Sequence, residues 1–295
     1  MVIPIVLFAY ARPDHLMQTL ECLKKNNPPL IYAFSDGPRN TNSKDAVMRV
    51  RNILNEIDWC ETILTERETN LGLGQSILTG VAEVLSRHEM AIIFEDDLVC
   101  VPETYEYLCA ALKNYANNPE VMSVTGWTHS QVKPRDIDQQ PYFDGRAECW
   151  VWGTWSRSWG DMTTTALDLM KQCREKRIDE YRYGADLPAM AEVELAQNIW
   201  AIRWLYKHIL NQGLCLRPPW SLVNHIGFDI DGTNVKDANW MGQSLESPAP
   251  AIPEHWPDVF ENPACPVIWK EKCGYKPSSI SKLYKYFRSL ASKLK

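Results

Sequence analysis

In the first 126 residues, continuous apolar runs alternate with segments in which apolar residues have helical spacing. Short apolar runs have the length of buried strands, and between them apolar residues recur every three or four positions, as on one face of a helix. The runs cover residues 2–8, 30–34, 62–64, 91–94 and 121–125. Pro13 and Pro102 are placed as first residues of the helices that follow. This strand-helix order predicts an α/β fold with a mostly parallel central sheet flanked by helices.

The pattern changes after about Gly126. Tryptophans are frequent in residues 127–159, where the sequence signals for strands and helices are weak. A long helical pattern then extends from 188 to 211, a short strand covers 214–216, and a polar, glycine-containing loop spans 224–233. The proline-rich stretch 244–266 is predicted to wrap the surface as irregular chain.

These patterns predict one domain at residues 1–275, with a first half at 1–126 and a second half at 127–275, followed by a tail at 276–295. The tail has six basic residues and no acidic one, and its apolar residues fall at helical spacing. Such a basic amphipathic helix could lie on an anionic membrane surface, or pack on the body of the protein or on a partner. We favour the membrane surface because no carboxylate balances the basic face.

Composition narrows the class of protein. A hydrophobic content of 45% and a charged content of 23% are typical of a globular chain. The net charge of −6 argues against a general nucleic-acid binder. Nine cysteines without a C-x-x-C pair indicate free buried thiols in a reducing cytosol. The N-terminal run lacks the features of a signal peptide, and no apolar run has the length of a membrane span, so we expect a cytoplasmic protein.

Three consecutive carboxylates, Glu95, Asp96 and Asp97, end the apolar run at 91–94. Burying unpaired carboxylates is costly, and neighbouring ones repel one another. The arrangement is favourable if the strand is interior and its carboxyl end opens into a cleft that holds a cation such as Mg²⁺. A solvated acidic loop after an ordinary strand is the alternative.

Other polar residues are predicted to meet the acidic triplet at the same edge of the sheet. Arg12 follows the first strand, Asp36 follows the second, and Gly72 and Gly74 open the helix before the acidic strand. An arginine and a metal-holding carboxylate suit a diphosphate, and glycines at a helix start allow a ligand to approach closely. The sequence therefore predicts a site for a nucleotide at this edge.

The chain resembles the nucleotide-sugar half of GT-A glycosyltransferases, and in particular N-acetylglucosaminyltransferase I and its bacterial relatives. The resemblance spans roughly residues 2–240. It is carried by Arg12, Asp36-Gly37, Leu73-Gly74-Gln75, Glu95-Asp96-Asp97-Leu98, residues 121–127 and residues 216–221. It implies a Rossmann-like GT-A fold with an acceptor-side half, to which the C-terminal amphipathic helix is added.

The same resemblance implies an activity and its partners. The enzyme would move a sugar from a nucleotide sugar, most plausibly a UDP-sugar, to a hydroxyl of a glycan acceptor, with Mn²⁺ or Mg²⁺ as cofactor. The basic tail suggests a lipid-linked acceptor at the inner face of a bacterial membrane, as in surface polysaccharide synthesis.

Individual roles follow from the resemblance as well. Asp97 would coordinate the metal ion, which His225 could also bind. Asp96 would face the ribose, and Glu95 would support the site. Donor binding would involve Asp36 at a uracil-type base, Arg12 near the nucleotide, and Gly74.

The general base departs from the family pattern. In the family it is an aspartate between tryptophans, and the matching segment here, residues 196–200, has Asn198, which cannot act as a base. Glu194, one helical turn earlier, and Asp229, in the polar loop, are the candidate bases. Either could instead be an ordinary surface carboxylate.

Three tryptophans, Trp127, Trp152 and Trp155, are candidates for stacking on an acceptor sugar, although each could also be a core residue. Two other functions stay open. The missing aspartate would fit a nucleotide-sugar or glycan-binding protein with weak or no turnover. A sugar nucleotidyltransferase would need a glycine-rich, basic loop directly after the first strand, which residues 10–13 do not supply.

Overall fold

The computed structural model describes residues 2–227, 245 and 248–274. Its strands are β1 (Ile5–Ala9), β2 (Leu30–Ser35), β3 (Glu61–Glu66), β4 (Met90–Glu95), β5 (Leu98–Cys100), β6 (Val121–Thr125), β7 (Tyr142–Asp144), β8 (Trp152–Trp155), β9 (Leu214–Arg217) and β10 (Val223–His225). Its helices are α1 (Pro13–Asn26), α2 (Lys44–Asn55), α3 (Leu73–Leu85), α4 (Thr104–Asn114), α5 (Ser156–Trp159), α6 (Ala166–Glu175), α7 (Asp186–Gln197), α8 (Ala201–Asn211) and α9 (Ala264–Cys273).

Eight of these strands form one sheet in the order β3-β2-β1-β4-β8-β6-β9-β7. Every strand of this sheet except β7 and β8 runs in the same direction. The predicted α/β architecture with a mostly parallel sheet is therefore confirmed. Strands from both predicted halves, 1–126 and 127–275, belong to the sheet. The strands β5 and β10 form a separate antiparallel pair.

The central strands are apolar because both faces of the sheet are covered. Every residue of β1, β2 and β6 is buried, and so is β4 up to its final Glu95. Such continuous apolar runs are typical of parallel strands between helical layers. At the edge of the sheet, β3 is partly exposed. The acidic residues that follow β4 therefore begin where a fully buried strand ends.

The predicted single helix over 188–211 is wrong. Two helices, α7 and α8, occupy this region, and Asn198 separates them with a left-handed backbone conformation (φ 55°). Asparagine tolerates this conformation at the end of a helix better than most residues do. The break turns residues 196–198 toward the sheet edge that carries the acidic triplet.

The sequence pattern also missed several elements, among them β8 and α9. The strand β8 lies antiparallel between β4 and β6, in a region where the sequence shows weak strand signals. The helix α9 begins at Ala264, inside the stretch predicted to be irregular, although the described residues from 248 to 263 have no helix or extended strand. All nine cysteines lie in the described residues and are free thiols, as predicted.

The tail at 276–295 lies outside the described residues, and so does most of the loop predicted at 224–233. None of the helices that the structure describes combines the length and the apolar character that a bilayer span requires.

A buried histidine makes the fold sensitive to acid. His208 is fully buried in α8, where Nε2 lies 2.9 Å from the hydroxyl of Ser123 and Nδ1 lies 3.1 Å from the carbonyl oxygen of Trp204. Burial lowers the pKa of His208 from its usual value of 6.5 to about 3. The unfolded chain binds this proton near pH 6.5 and the folded chain only near pH 3, so folding is disfavoured as the pH falls through this window.

We therefore expect His208→Gln to flatten the pH dependence of stability between pH 6.5 and 4. The wild type should lose up to about 1.4 kcal/mol per pH unit more than the variant does. Urea unfolding at a series of pH values measures the difference, with His255→Gln, at an exposed histidine, as control. Equal pH slopes for the wild type and His208→Gln would contradict the expectation.

Candidate functional site

The order of the central strands places a crevice between β1 and β4. The chain passes from β1 outward to β2 and β3 and then returns to pair β4 with the other side of β1. At such a switch point, ligands of open α/β sheets bind beyond the carboxyl ends of the strands. A cavity of about 480 Å³ lies there, which is a typical size for a small-molecule site. Its walls come from the segments 8–12, 36–39, 70–76, 95–97, 196–198 and 225–227.

The structure thus brings most of the sequence-predicted donor residues together. Arg12, Asp36, Glu95, Asp96 and Asp97 all line this one cavity. The acidic triplet is not a solvated loop, because Asp96 and Asp97 are both buried. The roles assigned to the individual residues stay predictions.

Asp97 is neutralised on one side only. Its Oδ2 accepts a hydrogen bond from Nη1 of Arg12 at 2.6 Å, and Nε2 of His225 lies 3.6 Å from the same oxygen. Its Oδ1 is buried and has no hydrogen-bond partner among the residues that the structure describes. A buried carboxylate oxygen without a partner is unfavourable, and a hard divalent cation would satisfy it.

The residues present fit an ion of the Mg²⁺ or Mn²⁺ type. In the described part of the chain, no three His, Cys, Asp or Glu side chains form a complete metal site. A closed cage is not required, however, because Mg²⁺ is commonly held by one or two carboxylates and completed by water and substrate phosphates. Asp97 provides such a carboxylate, and Glu95 and Asp96 lie at the same cavity.

The pKa values of the two other acids of the triplet are raised. Burial, and secondly the charge of Asp97, raises the pKa of Asp96 to about 8, although its Oδ2 accepts a 2.7 Å hydrogen bond from the backbone N–H of Tyr10. Burial and the neighbouring charges of Asp97 and Asp96 raise the pKa of Glu95 well above its usual range. A bound cation would favour the ionised form of each.

Asp36 organises the opposite wall. Its carboxylate accepts hydrogen bonds from the backbone N–H groups of Gly37 (3.0 Å), Leu71 (2.9 Å) and Gly72 (2.9 Å). The bonds from Leu71 and Gly72 fix the turn that leads into α3. The sequence prediction placed Asp36 at a nucleobase, and the anchoring of this turn is a role that sequence reasoning missed. The Asp-Gly turn after β2 was the available signal.

Gly74 lies behind the cavity wall rather than on it. A Cβ at Gly74 would overlap the side-chain oxygen of Asn198, so only glycine allows the end of α7 to approach the start of α3 this closely. Gly72, which lines the cavity, has a positive φ of 75° that glycine adopts without strain. Asn198 itself lines the cavity.

The prediction that Glu194 is a base is not supported by its contacts. Glu194 is 3% exposed and is absent from the cavity lining. Its Oε1 lies 2.7 Å from Nε of Arg203, and its Oε2 accepts a 2.7 Å hydrogen bond from the backbone N–H of Ala166 at the start of α6. Both oxygens are committed to holding α6, α7 and α8 together. The other candidate, Asp229, lies outside the described residues.

The three tryptophans predicted to bind an acceptor are core residues. Trp127 and Trp152 are 0% exposed and Trp155 is 2% exposed, so none of them offers a ring face to a ligand. Trp152 stacks in the interior against Trp200 at 5.8 Å between ring centroids. In contrast, Trp150 is partly exposed, and its ring centroid lies 5.0 Å from that of His225.

His225 reaches the site through the β5–β10 pair, in which it lies opposite Leu98, next in sequence to Asp97. Its Nδ1 accepts a 3.0 Å hydrogen bond from the backbone N–H of Gly227. A neutral ring then carries its proton on Nε2, the atom that faces Asp97. In this tautomer Nε2 is a donor toward Asp97, so metal binding by His225 would require the Gly227 bond to be released.

Comparisons with known proteins give only distant likenesses. No protein-family model matches the sequence, and no curated protein matches it either. Among solved structures, the chain is similar to a mannosyltransferase from Pyrobaculum calidifontis in complex with GDP-Man and Mn²⁺, at 12% identity and a TM-score of 0.35. This match covers 58% of the present chain and 46% of the mannosyltransferase chain, so the likeness spans less than half of that protein.

Two further solved structures are UDP-glucose pyrophosphorylases. The apo form matches at 12% identity and a TM-score of 0.37, over 79% of this chain and 96% of that one. The complex with UDP-glucose matches at 16% identity and a TM-score of 0.27, over 55% and 71% of the two chains. All three neighbours are proteins of nucleotide-sugar chemistry. The likeness to N-acetylglucosaminyltransferase I stays a prediction.

The anchoring role of Asp36 can be tested by Asp36→Asn. An asparagine amide would meet backbone N–H donors with a donor of its own, so we expect the free energy of unfolding to fall by about 1–3 kcal/mol. Chemical denaturation measures this loss. Asp138→Asn, at an exposed aspartate, should change stability little, and an Asp36→Asn variant as stable as this control would contradict the assignment.

Proposed function

We propose that this protein is a metal-dependent glycosyltransferase that moves a sugar from a nucleotide-sugar donor, a UDP-sugar, to a hydroxyl of a glycan acceptor. One observation carries the proposal. At the carboxyl ends of β1 and β4, a cavity presents a buried, unpartnered carboxylate oxygen of Asp97 beside the guanidinium of Arg12.

This pair of groups matches a metal diphosphate. A diphosphate carries negative charge that an arginine binds well, since its guanidinium forms paired hydrogen bonds with phosphate oxygens. The unpartnered Oδ1 of Asp97 suits a divalent cation that the diphosphate helps to hold. Asp97 would be the metal ligand, with Asp96 and Glu95 beside it. When bound, the metal ion would neutralise the charge that develops on the nucleoside diphosphate leaving group.

The rest of the donor would lie along the walls that Asp36 and Asn198 hold in place. The turn at 70–72, fixed by Asp36, borders the cavity together with the exposed Arg39. We propose that the base and ribose lie here and that Asp96 faces the ribose. Trp150, beside His225, is the side chain that we propose for the acceptor side in place of the buried tryptophans.

Proton removal from the acceptor requires a carboxylate within hydrogen-bond reach. The contacts of Glu194 argue against it, and Asn198 has no titratable group. Asp229 therefore remains our candidate base.

A sugar nucleotidyltransferase is less well supported by the cavity. Between the end of β1 at Ala9 and the start of α1 at Pro13 there is room only for residues 10–12. So short a connection offers no glycine-rich cradle for a triphosphate.

The biological setting is part of the proposal as well. We propose a lipid-linked glycan acceptor at the inner face of a bacterial membrane, in surface polysaccharide synthesis. The support is the basic, amphipathic sequence of residues 276–295.

The donor site is tested by calorimetric titration of UDP, GDP and CDP with and without Mn²⁺. We expect one nucleotide, UDP, to bind in a Mn²⁺-dependent manner, and Asp97→Asn to weaken that binding by about tenfold or more, or roughly 1.4 kcal/mol. Metal-dependent release of UDP from a UDP-sugar in the presence of an acceptor would show transfer. Release of pyrophosphate from UTP and a sugar phosphate would instead show nucleotidyl transfer.

The matched control is Asp14→Asn. The Asp14 side chain is 76% exposed near the start of α1 and pairs with the exposed Arg49 at 3.4 Å. The Asp14→Asn variant should bind the nucleotide as the wild type does. A nucleotide affinity that changes neither with Mn²⁺ nor in Asp97→Asn would refute the proposed function.

A further inference from the structure

Asp97, whose carboxylate suits a metal ion, already forms an ion pair with the cationic side chain of Arg12. Nη1 of Arg12 lies 2.6 Å from Oδ2 of Asp97, a short charge-assisted hydrogen bond, and the Asp97 side chain is only 10% exposed. A divalent ion on Oδ1 would share this one carboxylate with the guanidinium. Two cations on one partly buried negative charge repel each other strongly, because little water screens them.

The surrounding backbone keeps this ion pair closely covered. Gly227 lies directly over it, since a Cβ there would overlap Oδ2 of Asp97 and would come within 2.9 Å of Nη1 of Arg12. The backbone N–H of Ile226 also donates to the carbonyl oxygen of Asp97 at 2.9 Å. The contact between Arg12 and Asp97 is therefore part of a packed arrangement and not an exposed surface pair, which would be worth little.

We propose that Arg12 is the resident counter-ion of Asp97, that it competes with the divalent cation for this carboxylate, and that the diphosphate of the donor relieves the competition by binding the guanidinium. This inference rests on the proposed function for its second half, the role of the diphosphate. Its first half, the competition between Arg12 and the cation, concerns the protein and the metal alone.

The consequence is a coupling between metal and donor. Without nucleotide, the ion pair with Arg12 keeps the affinity of Asp97 for the divalent cation low. With a diphosphate present, the guanidinium has a new anionic partner, and Asp97 is available to the metal. Such coupling is reciprocal, so the metal must raise the affinity for the nucleotide by the same factor. The site would then admit metal and donor together and would resist occupation by a free divalent ion.

The chain offers a matched pair of arginines for the test. Arg39 lines the same cavity as Arg12, but it is exposed and forms no ion pair with Asp97 in the described structure. Arg12→Gln removes the competing cation, and Arg39→Gln removes an equal charge from the cavity without touching Asp97. Arg12→Lys keeps a positive charge at the position and controls for damage to the fold.

The first titration measures the binding of Mn²⁺ alone and is monitored through the electron paramagnetic resonance signal of the free ion. The same titration is then repeated with UDP and corrected for the Mn²⁺ that UDP binds in the absence of protein. We expect Arg12→Gln to bind Mn²⁺ alone roughly tenfold to a hundredfold more tightly than the wild type does. Arg39→Gln should bind Mn²⁺ alone as the wild type does. UDP should tighten Mn²⁺ binding strongly in the wild type, and much less in Arg12→Gln.

The outcomes separate this inference from the proposed function. Arg12→Gln must bind Mn²⁺ alone more tightly than each of the three other proteins, namely the wild type, Arg12→Lys and Arg39→Gln. If it does not, the competition is overturned, whatever the effect of the nucleotide. If Arg12→Gln binds Mn²⁺ more tightly but UDP has no effect on any variant, the competition stands, while the relief by diphosphate and the proposed donor site both fail.

Discussion

The ion pair between Arg12 and Asp97 is the contact around which the site is built. It forms because β1 and β4 are hydrogen-bonded neighbours in register, with Phe8 opposite Glu95, so that the residues beyond their carboxyl ends meet. A run of three carboxylates at the end of a buried strand would be unfavourable without such a partner. Even with Arg12 present, Oδ1 of Asp97 has no hydrogen-bond partner in the described part of the chain, and the pKa values of Asp96 and Glu95 are raised.

Polar anchors shape the rest of the cavity. Asp36 ties the turn before α3 to the end of β2 through the backbone N–H groups of Leu71 and Gly72, and Asn198 packs against the same turn from the other side. Hydrogen bonds to a buried charged group are among the stronger ones in proteins. The walls are thus held before any ligand arrives, which lowers the cost of ordering them on binding.

The described residues after 126 contribute only the segments 196–198 and 225–227 to the cavity. The tryptophans of this half build the interior, where Trp152, Trp159 and Trp204 pack within 5.2–5.6 Å of one another between ring centroids. Glu194 and Arg203 tie the helices of this half together.

The sequence by itself determined the alternating strands and helices, the mostly parallel sheet, and the meeting of Arg12, Asp36 and the acidic triplet at one edge. These follow from local periodicity, and parallel strands bring their carboxyl ends together whatever the details of packing. The tertiary structure alone decided whether Glu194 faces the cavity, whether Trp152 is buried, and that β8 enters the sheet between β4 and β6. Each of these depends on partners distant in sequence, such as Ala166 for Glu194 and Ile93 for Trp152, which no local pattern encodes.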